Sequence, residues 1–580
     1  MAELISRIYS NFRGVDFRGE EINLVRSPDS LNVWKDYKKT ESIRTRPGLQ
    51  RKEWDLTGPI YGIFEYNGVI YVHRGTHLYS SDYGFKNEDG EETPLFSGLN
   101  PAPSMGFVFD GIFYFKDGKN YITYDTRPVD DTYMGDVADI AYVPTTSISR
   151  NPMGGGKTFE DVNMLSDYRK NSFRADGSSF SYFLDTLNID TDFAPEVRLN
   201  DELVDPSEYK VDYKNGKITF LYEAPDKPLT DGQDNVEILF KKALVDENGE
   251  KKYLKTILEC TLLQVFDNRV FFSGNPNYPN MVWHCSLNDP SYVSDLDYYH
   301  EGMDEANVKG MVAGNNALWV FREPSSSNTT VFYHTPSIDD EYGKVFPSVH
   351  SSVTTGCIGK AINFNDDIVF FSERGMEGIS GDVTTEQVVA HRSSLVDRKM
   401  TAEPRDKYKN MVLAEWEGYL FVFIGNKAYL ADSRAMFTNE NHNEYEWFYW
   451  ELEKSVNCAT VVDGMLYIGT DDGVYTFSDL NANVESYWVT PKDKFKYPHK
   501  LKTSNKRGCV AEATGDITVY AKVEDTEFEE IGTYENVTDY FVSRIKRKKW
   551  KDIQLKFHSK TRFSLETCTL EAWVGGYIKR

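Results

Sequence analysis

The sequence predicts an all-β protein built on a β-propeller, and three observations support this fold class. A short apolar strand, a tight turn and a second alternating strand recur as a unit along the chain. The copies are spaced about 45 to 50 residues apart, which is the repeat length of propeller blades. Aromatic residues, which β-sheets accommodate readily, make up 14% of the 580 residues, and helical signals are almost absent.

Seven copies of the repeat begin at Ile60, Met105, Leu262, Met311, Ala361, Met411 and Ala459. Their predicted turns are Asn67-Gly68, Asp110-Gly111, Asp267-Asn268, Asn315-Asn316, Asp366-Asp367, Glu417-Gly418 and Asp463-Gly464. Most of these pairs tolerate the positive φ that two-residue hairpin loops require. One blade cannot bury both faces alone, whereas a closed ring of blades buries them and removes most exposed edges. We predict seven blades within a range of six to eight; a string of β-sandwiches is the alternative.

The repeat is interrupted once, because its second and third copies begin about 157 residues apart. Removing one period leaves about 110 residues, the size of an inserted domain. We therefore divide the chain into an N-terminal arm with a ring-closing strand (1–55), propeller blades (56–129), an inserted β-domain (130–256), further blades (257–483) and a basic C-terminal β-domain (484–580). The insertion contains a hairpin with Asn215-Gly216 at its tip and predicts a small β-sandwich or β-barrel.

Charge is distributed unevenly along the chain. The net charge is −25, yet residues 484–580 contain 19 Lys and Arg against 14 Asp and Glu, which leaves about −30 on the first 483 residues. An acidic surface repels nucleic acid on average. The six cysteines show no CxxC pair and are expected to be reduced thiols, mostly in cores. Neither a secretory signal nor a transmembrane helix is expected, and so no membrane partner is expected.

Two basic runs in the C-terminal part form a candidate docking face for an acidic neighbour. Its residues are Lys492, Lys494, Lys496, Lys500, Lys502, Arg507, Arg544, Lys546, Arg547, Lys548, Lys549 and Lys551. A solvated strand face and contact with passing DNA are the alternatives. Aromatic residues that could stack on single-stranded bases are few near these runs.

Motifs that could carry chemistry are weak throughout. The segment from Asn151 to Thr158 ends like a phosphate-binding loop, but Asn stands where that pattern needs its first glycine, and no nucleotide-fold strand and helix flank it. His73 and His77 fall on a predicted hairpin without an evident third metal ligand. Ser80–Phe85 partly matches the Asp-box turn of sialidases, which is structural. We therefore predict no catalytic, cofactor or metal residues.

Glycosidases need two carboxylates at a defined separation. Adjacent acids such as Asp339, Asp340 and Glu341 are numerous, but in a chain with 90 acids most are solvated turn residues. A propeller-based binder or glycosidase acting on host-surface carbohydrate is therefore the alternative function.

Three stretches of the chain together resemble bacteriophage tail nozzle and tail stabilisation hub proteins. The first is NLVRSPDSLNVWKDYKKTESIRTRPGL, which ends at Arg46, Pro47, Gly48 and Leu49. The second is the start of the insertion, YVPTTSISRNPMGGGKTFEDVN, and the sequence that follows it. The third is the ending, RIKRKKWKDIQLKFHSKTRFSLETCTLEAWVGGYIKR. The resemblance spans both ends and the insertion.

What the resemblance implies is a structural virion protein and not an enzyme. Such a protein would be made in the host cytoplasm and located in the tail. It would form a homo-oligomeric ring, with six-fold symmetry as our prediction, below the portal and adaptor. The ring would seal the channel and conduct DNA during ejection. The net charge of −25 adds the hypothesis of an acidic lumen, which would keep DNA from sticking because phosphate contacts slow its passage.

Overall fold

The computed structural model describes residues 3–19, 23–38, 42–54, 56–81, 85, 93–127, 133–245, 249, 251–339, 343–380, 383, 386–439, 442–481, 483–546 and 549–577. The protein is all-β and belongs to the β-propeller class, with 53% of residues in strands and 5% in helices. Two compact units divide the chain. Unit 1 comprises Met1–Ser97, Phe321–Val331 and Ser351–Arg580, and unit 2 comprises Gly98–Val320 and Phe332–His350.

Seven short strands lie before the first repeat. They are β1 (Glu3–Tyr9), β2 (Gly14–Val15), β3 (Arg26–Ser27), β4 (Ser30–Leu31), β5 (Val33–Lys35), β6 (Ile43–Thr45) and β7 (Gly48–Arg51). Strands β2 and β3 pair in parallel and β5 pairs with β6, while β1, β4, β6 and β7 pair with strands from much later in the chain. The N-terminal stretch is therefore held by long-range pairing.

The first two repeats form two antiparallel sheets of four strands each. One contains β8 (Ile60–Tyr66), β9 (Val69–Arg74), β10 (His77–Ser80) and β11 (Phe96–Ser97). The other contains β12 (Met105–Phe109), β13 (Ile112–Lys116), β14 (Tyr121–Asp125) and β15 (Tyr133–Asp136). In each sheet, strands that follow one another in sequence also lie side by side, which is the strand order of a propeller blade.

The insertion is a β-sandwich and not a β-barrel, the two architectures that the sequence left open. Its strands are β16 (Thr145–Arg150), β17 (Lys157–Thr158), β18 (Tyr168–Phe173), β19 (Ser181–Phe183), β20 (Glu196–Leu199), β21 (Glu202–Leu203), β22 (Tyr209–Asp212), β23 (Lys217–Phe220) and β24 (Val236–Lys241). They form a six-stranded sheet, β17-β16-β18-β24-β20-β21, and a three-stranded sheet, β19-β23-β22. Phe173, Tyr182, Ile218 and Ile238 belong to a shared core in which these side chains are fully buried. Two 3-10 turns, Val137–Ile140 and Pro206–Glu208, and helix α1 (Lys252–Leu258) complete this region.

Five further repeats follow α1 and again give four-stranded sheets. The first sheet contains β25 (Leu262–Phe266), β26 (Arg269–Ser273), β27 (Met281–His284) and β28 (Tyr298–His300), and the second contains β29 (Val308–Gly314), β30 (Ala317–Arg322), β31 (Val331–His334) and β34 (Ser348–His350). The third sheet contains β35 (Ala361–Phe364), β36 (Asp367–Ser372), β37 (Gly375–Ser380) and β38 (Val388–His391). The fourth contains β39 (Val412–Trp416), β40 (Tyr419–Ile424), β41 (Lys427–Asn439) and β42 (His442–Glu451). A hairpin of β32 (Ser337–Asp339) and β33 (Gly343–Val345) precedes β34, and helices α2 (Asp397–Met400) and α3 (Arg405–Lys409) precede β39. The last repeat supplies β43 (Cys458–Val462), β44 (Met465–Gly469) and β45 (Val474–Ser478).

The N-terminal strand β7 completes the last of these sheets by pairing antiparallel with β45. In unit 1 this last sheet also packs against the first, since Ile63 and Val72 share a core with Tyr467 and Val474. The described residues therefore contain seven blade-like sheets of four strands. Their closure into one seven-bladed ring stays a prediction.

The turns of all seven repeats take the predicted conformation, with one shift. Both central residues have positive φ in each turn, for example Asn67 (53°) and Gly68 (78°). The exception to our assignment is the fifth repeat, where Phe364 pairs with Asp367 and the turn residues are Asn365 and Asp366. Our prediction of Asp366-Asp367 was wrong by one residue, because Asn, Asp and Asp follow one another here and each tolerates positive φ.

The last strands are β46 (Ser486–Val489), β47 (Lys500–Val523), β48 (Glu529–Val537), β49 (Tyr540–Ser543), β50 (Ile553–Ser559) and β51 (Phe563–Tyr577). They share one ten-stranded sheet with β1, β4, β5 and β6 from the start of the chain. The domain boundaries that we predicted at residues 55 and 484 therefore assign hydrogen-bonded strands of one sheet to two different domains. The two ends of the sequence fold together.

Candidate functional site

The basic docking face begins where two distant segments meet. Asp493 and Ile553 exchange backbone hydrogen bonds of 2.9 and 3.2 Å, and Lys502 and Trp550 do so at 2.8 and 3.1 Å. Between these bridges the buried rings of Phe495 and Trp550 pack edge to face, with centroids 5.3 Å apart. Residues 492–502 and 549–553 are therefore neighbours, which their separation in the sequence does not reveal.

Five exposed lysines on these segments form what we call the basic surface: Lys492, Lys494, Lys496, Lys549 and Lys551. Part of its charge is balanced locally, because the Lys492 ammonium lies 3.2 Å from Asp525 and 3.5 Å from Asp552. Lys500 is half-buried, with its ammonium 4.4 Å from the centre of the Tyr497 ring. The basic surface is thus a set of exposed lysines with Asp525 and Asp552 at its margin.

The remaining predicted docking residues lie away from the basic surface or outside the residues that the structure describes. Arg544 and Lys546 are exposed beyond the end of β49, where the Lys546 ammonium donates to the carbonyl oxygen of Glu530 at 3.2 Å. The Arg507 side chain and residues Arg547 and Lys548 lie outside the described residues.

Lys502 is buried and does not belong to the docking face. Its ammonium donates to the carbonyl oxygens of Tyr497 and Lys551, the latter at 2.6 Å. Successive side chains of a strand point to opposite faces, and Lys502 faces inward between half-buried Leu501 and exposed Thr503. Its function is to join the two basic segments from inside.

Replacing Lys502 with methionine should therefore destabilise the protein, whereas the same change at exposed Lys494 should not. Loss of the ammonium removes the donor to the Lys551 carbonyl and one of two donors to the Tyr497 carbonyl, which keeps the Lys500 amide at 3.2 Å. The expected cost is about 1–3 kcal/mol in the free energy of unfolding. Lys494→Met should stay within about 0.5 kcal/mol of the wild type. Urea unfolding of both variants measures the difference, and equal stabilities would contradict the internal role of Lys502.

The motif from Asn151 to Thr158 forms a connector between paired strands. Asn151 and Gly154 form a bridge, and the two residues of β17, Lys157 and Thr158, pair with β16. At Gly156 (φ 92°) a Cβ atom would lie 2.7 Å from the carbonyl oxygen of Ile148, so the backbone passes too close for a side chain. The geometry is that of a hairpin, and the strand and helix that flank a nucleotide loop do not surround it.

The histidine pair of the first repeat is also structural. His73 is fully buried, with its Nε2 atom 3.0 Å from the carbonyl oxygen of Gly75, and His77 pairs with Arg74 on the neighbouring strand. Asp82, Tyr83 and Gly84 of the partial Asp-box lie outside the described residues. Within the described part of the chain, no three His, Cys, Asp or Glu side chains are grouped as metal ligands. In that same part, no helix is long and apolar enough to span a bilayer.

Unit 1 contains a histidine held between two carboxylates. His391 Nε2 lies 2.6 Å from Asp397 and Nδ1 lies 3.2 Å from the buried Glu377. Ser393 Oγ donates to the other oxygen of Asp397 at 2.6 Å. Burial lowers the pKa of His391, but its hydrogen bonds to Asp397 and Glu377 outweigh burial and raise it to about 10. The imidazolium fills the space between the two acids, so a sugar ring cannot enter there.

Unit 2 contains a fully buried histidine with a carboxylate partner. His334 Nε2 lies 2.8 Å from Glu301, and Nδ1 lies 2.8 Å from the carbonyl oxygen of Phe346. Ser348 Oγ donates to the other Glu301 oxygen at 2.7 Å. Serine and histidine thus bind the same carboxylate and not each other, which is unlike a nucleophile–base pair. Sequence reasoning missed both histidine clusters, because their members have no motif spacing.

A polar cleft of about 370 Å³ opens on the C-terminal sheet. Its lining includes Asp516, Tyr520, Glu530, Tyr534 and His558. Thr518 pairs with Thr533 on one side and His558 on the other, so the floor is a row across β48, β47 and β50. Carbohydrate-binding sites combine polar groups with aromatic rings in this way.

Comparisons with known proteins give distant structural likenesses. No protein-family model matches the chain, and no curated protein matches it. Among solved structures, the computationally designed Ika8 protein is similar over 75% of this chain and 99% of its own, with 9% identity and a TM-score of 0.30. BamB from Moraxella catarrhalis is similar over 75% and 98%, with 11% identity and a TM-score of 0.31. An exo-beta-1,3-galactanase from Phanerochaete chrysosporium is similar over 57% and 98%, with 9% identity and a TM-score of 0.22. At these TM-scores none of the likenesses bears on function, and the fold assignment rests on the sheets themselves.

Proposed function

We propose that this protein is a structural component of a bacteriophage tail. It would form part of the nozzle or hub ring below the portal and adaptor, seal the channel and conduct DNA during ejection. The proposal assigns it no catalytic step. Its location would be the virion, with synthesis in the host cytoplasm.

One observation supports this proposal more than any other. The N-terminal and C-terminal stretches that resemble tail nozzle and hub proteins are hydrogen-bonded to each other: β6 pairs with β51, with Arg44 opposite Ser564 and Ile43 opposite Leu565. Arg46, within the N-terminal stretch, is fully buried and joins it to the carbonyl oxygen of Glu451. The resemblance therefore describes one continuous piece of structure and not two unrelated ends.

Electrostatic attraction between neighbouring subunits would assemble the ring. The basic surface belongs to a C-terminal part with a net charge of +5, while the rest of the chain carries about −30. A head-to-tail ring brings different patches of identical subunits together, so a basic patch on one copy can meet an acidic patch on the next. We therefore propose that the acidic neighbour of the basic surface is a second copy of this chain.

Reversing three charges of the basic surface should weaken self-association. In Lys494→Glu/Lys496→Glu/Lys549→Glu each substitution replaces attraction with repulsion, and we expect the dissociation constant to rise about 10- to 100-fold at low salt. Sedimentation velocity at 50 and 500 mM NaCl measures this, and the difference between wild type and variant should shrink at high salt.

The matched control reverses three exposed lysines of the insertion, Lys210, Lys214 and Lys227. This variant has the same change in net charge, so an equal loss of association would show that only overall charge matters. In that case the assignment of the basic surface as the docking face would be wrong.

The polar cleft favours a second candidate function, the binding of host-surface carbohydrate. Its mixture of Tyr520, Tyr534, Asp516 and Glu530 suits a sugar better than a protein partner. Incubation with cell-wall polysaccharide distinguishes the two functions. Saturable binding or release of reducing sugar by a protein that stays monomeric would favour the carbohydrate function over the tail function.

A further inference from the structure

Two cysteines of the ten-stranded sheet lie side by side in its core. In the register of β47 and β51, Cys509 pairs with Leu570 and Ala511 pairs with Cys568, so the two cysteines are diagonal neighbours on the inner face. Their sulfur atoms are 3.2 Å apart, and neither residue is exposed. A disulfide bond has a length of about 2.05 Å, so a closure of little more than an ångström would join them.

Three of the other four thiols are bound to backbone groups. Cys260 Sγ donates to the carbonyl oxygen of Thr256 at 3.4 Å, Cys285 Sγ accepts from the Val270 amide at 3.0 Å, and Cys458 Sγ lies 4.0 Å from the carbonyl oxygen of Ile60. Cys509 and Cys568, in contrast, contact each other. Residues so far apart in sequence reach this position through the pairing of the two longest strands of the protein.

We propose that Cys509 and Cys568 are a site of oxidative modification that closes to a disulfide bond linking β47 to β51. The oxidant is a small-molecule disulfide such as oxidised glutathione. One cysteine thiolate attacks it, forming a mixed disulfide and releasing one small thiol. The second cysteine thiolate then displaces the other small thiol. Two protein thiols are oxidised to one disulfide, and one small-molecule disulfide is reduced to two thiols.

Burial controls when this reaction occurs. It raises the pKa of the Cys568 thiol well above its usual range, and its hydrogen bond with Cys509 acts in the same direction. Thiolate is therefore scarce while the sheet is closed, and exchange takes place during folding or local opening. The same burial then shields the finished disulfide from reductants. The bond would be acquired once and retained.

Thiol counting on the full chain tests the proposal. The protein is incubated for a day with oxidised glutathione in sub-denaturing urea, then unfolded and alkylated, and its intact mass is measured. We expect the number of alkylated cysteines to fall from six to four, and a proteolytic digest to contain the peptides of Cys509 and Cys568 linked together. The melting temperature should rise by about 2–5 °C.

Two variants separate this disulfide from general oxidation. Cys568→Ala should retain all five remaining thiols under the same treatment. Cys509→Ala should give the same result, and it replaces Cys568→Ala if that variant folds poorly. Cys458→Ala is the matched control and should fall from five thiols to three. Six free thiols in the treated wild type, or linked peptides that involve other cysteines, would overturn the proposal.

Discussion

Replacing Arg46 with alanine should lower the free energy of unfolding by about 2–4 kcal/mol. The guanidinium group is fully buried and donates to Asn32 Oδ1 and to the carbonyl oxygen of Pro47, both at 3.0 Å. It also donates to the carbonyl oxygen of Glu451 at 3.1 Å and to the carboxylate of Glu453 at 3.0 Å. Alanine would leave a cavity and remove a buried donor from the carbonyl oxygens of Pro47 and Glu451. Asn32 Oδ1 would keep its bond from the Glu451 amide at 2.9 Å, and the carboxylate of Glu453, whose side chain is 54% exposed, would be hydrated.

Arg51 provides a matched control for Arg46. It lies on the neighbouring strand β7, and its guanidinium donates to the carbonyl oxygen of Asp472 at 2.9 Å from an exposed position. Arg51→Ala should cost less than about 1 kcal/mol, and Arg46→Lys should fall between the two alanine variants because lysine lacks the planar fork. Urea denaturation measures all three. If Arg46→Ala were as mild as Arg51→Ala, Arg46 would not hold the N-terminal stretch in place.

The stability of the protein should fall as the pH rises above neutrality, and His391 should be a main cause. Its pKa is about 10 in the folded protein and about 6.5 in the unfolded chain, so the folded state favours the proton. The stabilisation is complete below pH 6.5 and is lost as the pH rises towards 10. Between pH 6.5 and 9 the loss is about 3 kcal/mol.

His391→Gln tests this origin of the pH dependence. Glutamine can still hydrogen-bond to Asp397 or Glu377 but cannot carry the charge, so the variant should be less stable at pH 6.5 and show a shallower decline towards pH 9. Chemical denaturation at several pH values measures both slopes. Parallel slopes for wild type and variant would mean that His391 does not titrate in this range.

Local patterns in the sequence predicted the repeating part of the fold well. Turn pairs such as Asn67-Gly68 and Asp463-Gly464 fix hairpins through residues that accept positive φ, and this information lies within a few positions. The same reasoning erred by one residue at Asn365, where three turn-forming residues are adjacent. The interruption of the repeat likewise located the inserted sandwich.

Long-range pairing could not be predicted in the same way. Nothing near Ile43 indicates that its partner is Leu565, because cross-strand neighbours are chosen by the whole core and not by adjacent residues. In the candidate site, too, some features could be read from the local sequence and others depend on how distant strands pair. A count of charges identified the basic runs, but the inward-facing Lys502 depends on how Lys502 and Trp550 pair. The cluster around His391 depends on how the consecutive elements β37, β38 and α2 pack together.

Electron microscopy of the purified protein tests the central claim most directly. Negative-stain images should contain closed rings of identical subunits with a central channel and six-fold symmetry in class averages. Rings should be lost when Lys494, Lys496 and Lys549 are reversed in charge, and retained when Lys210, Lys214 and Lys227 are reversed. Images of single particles at every concentration, from a preparation that also cleaves polysaccharide, would contradict the assignment to a phage tail.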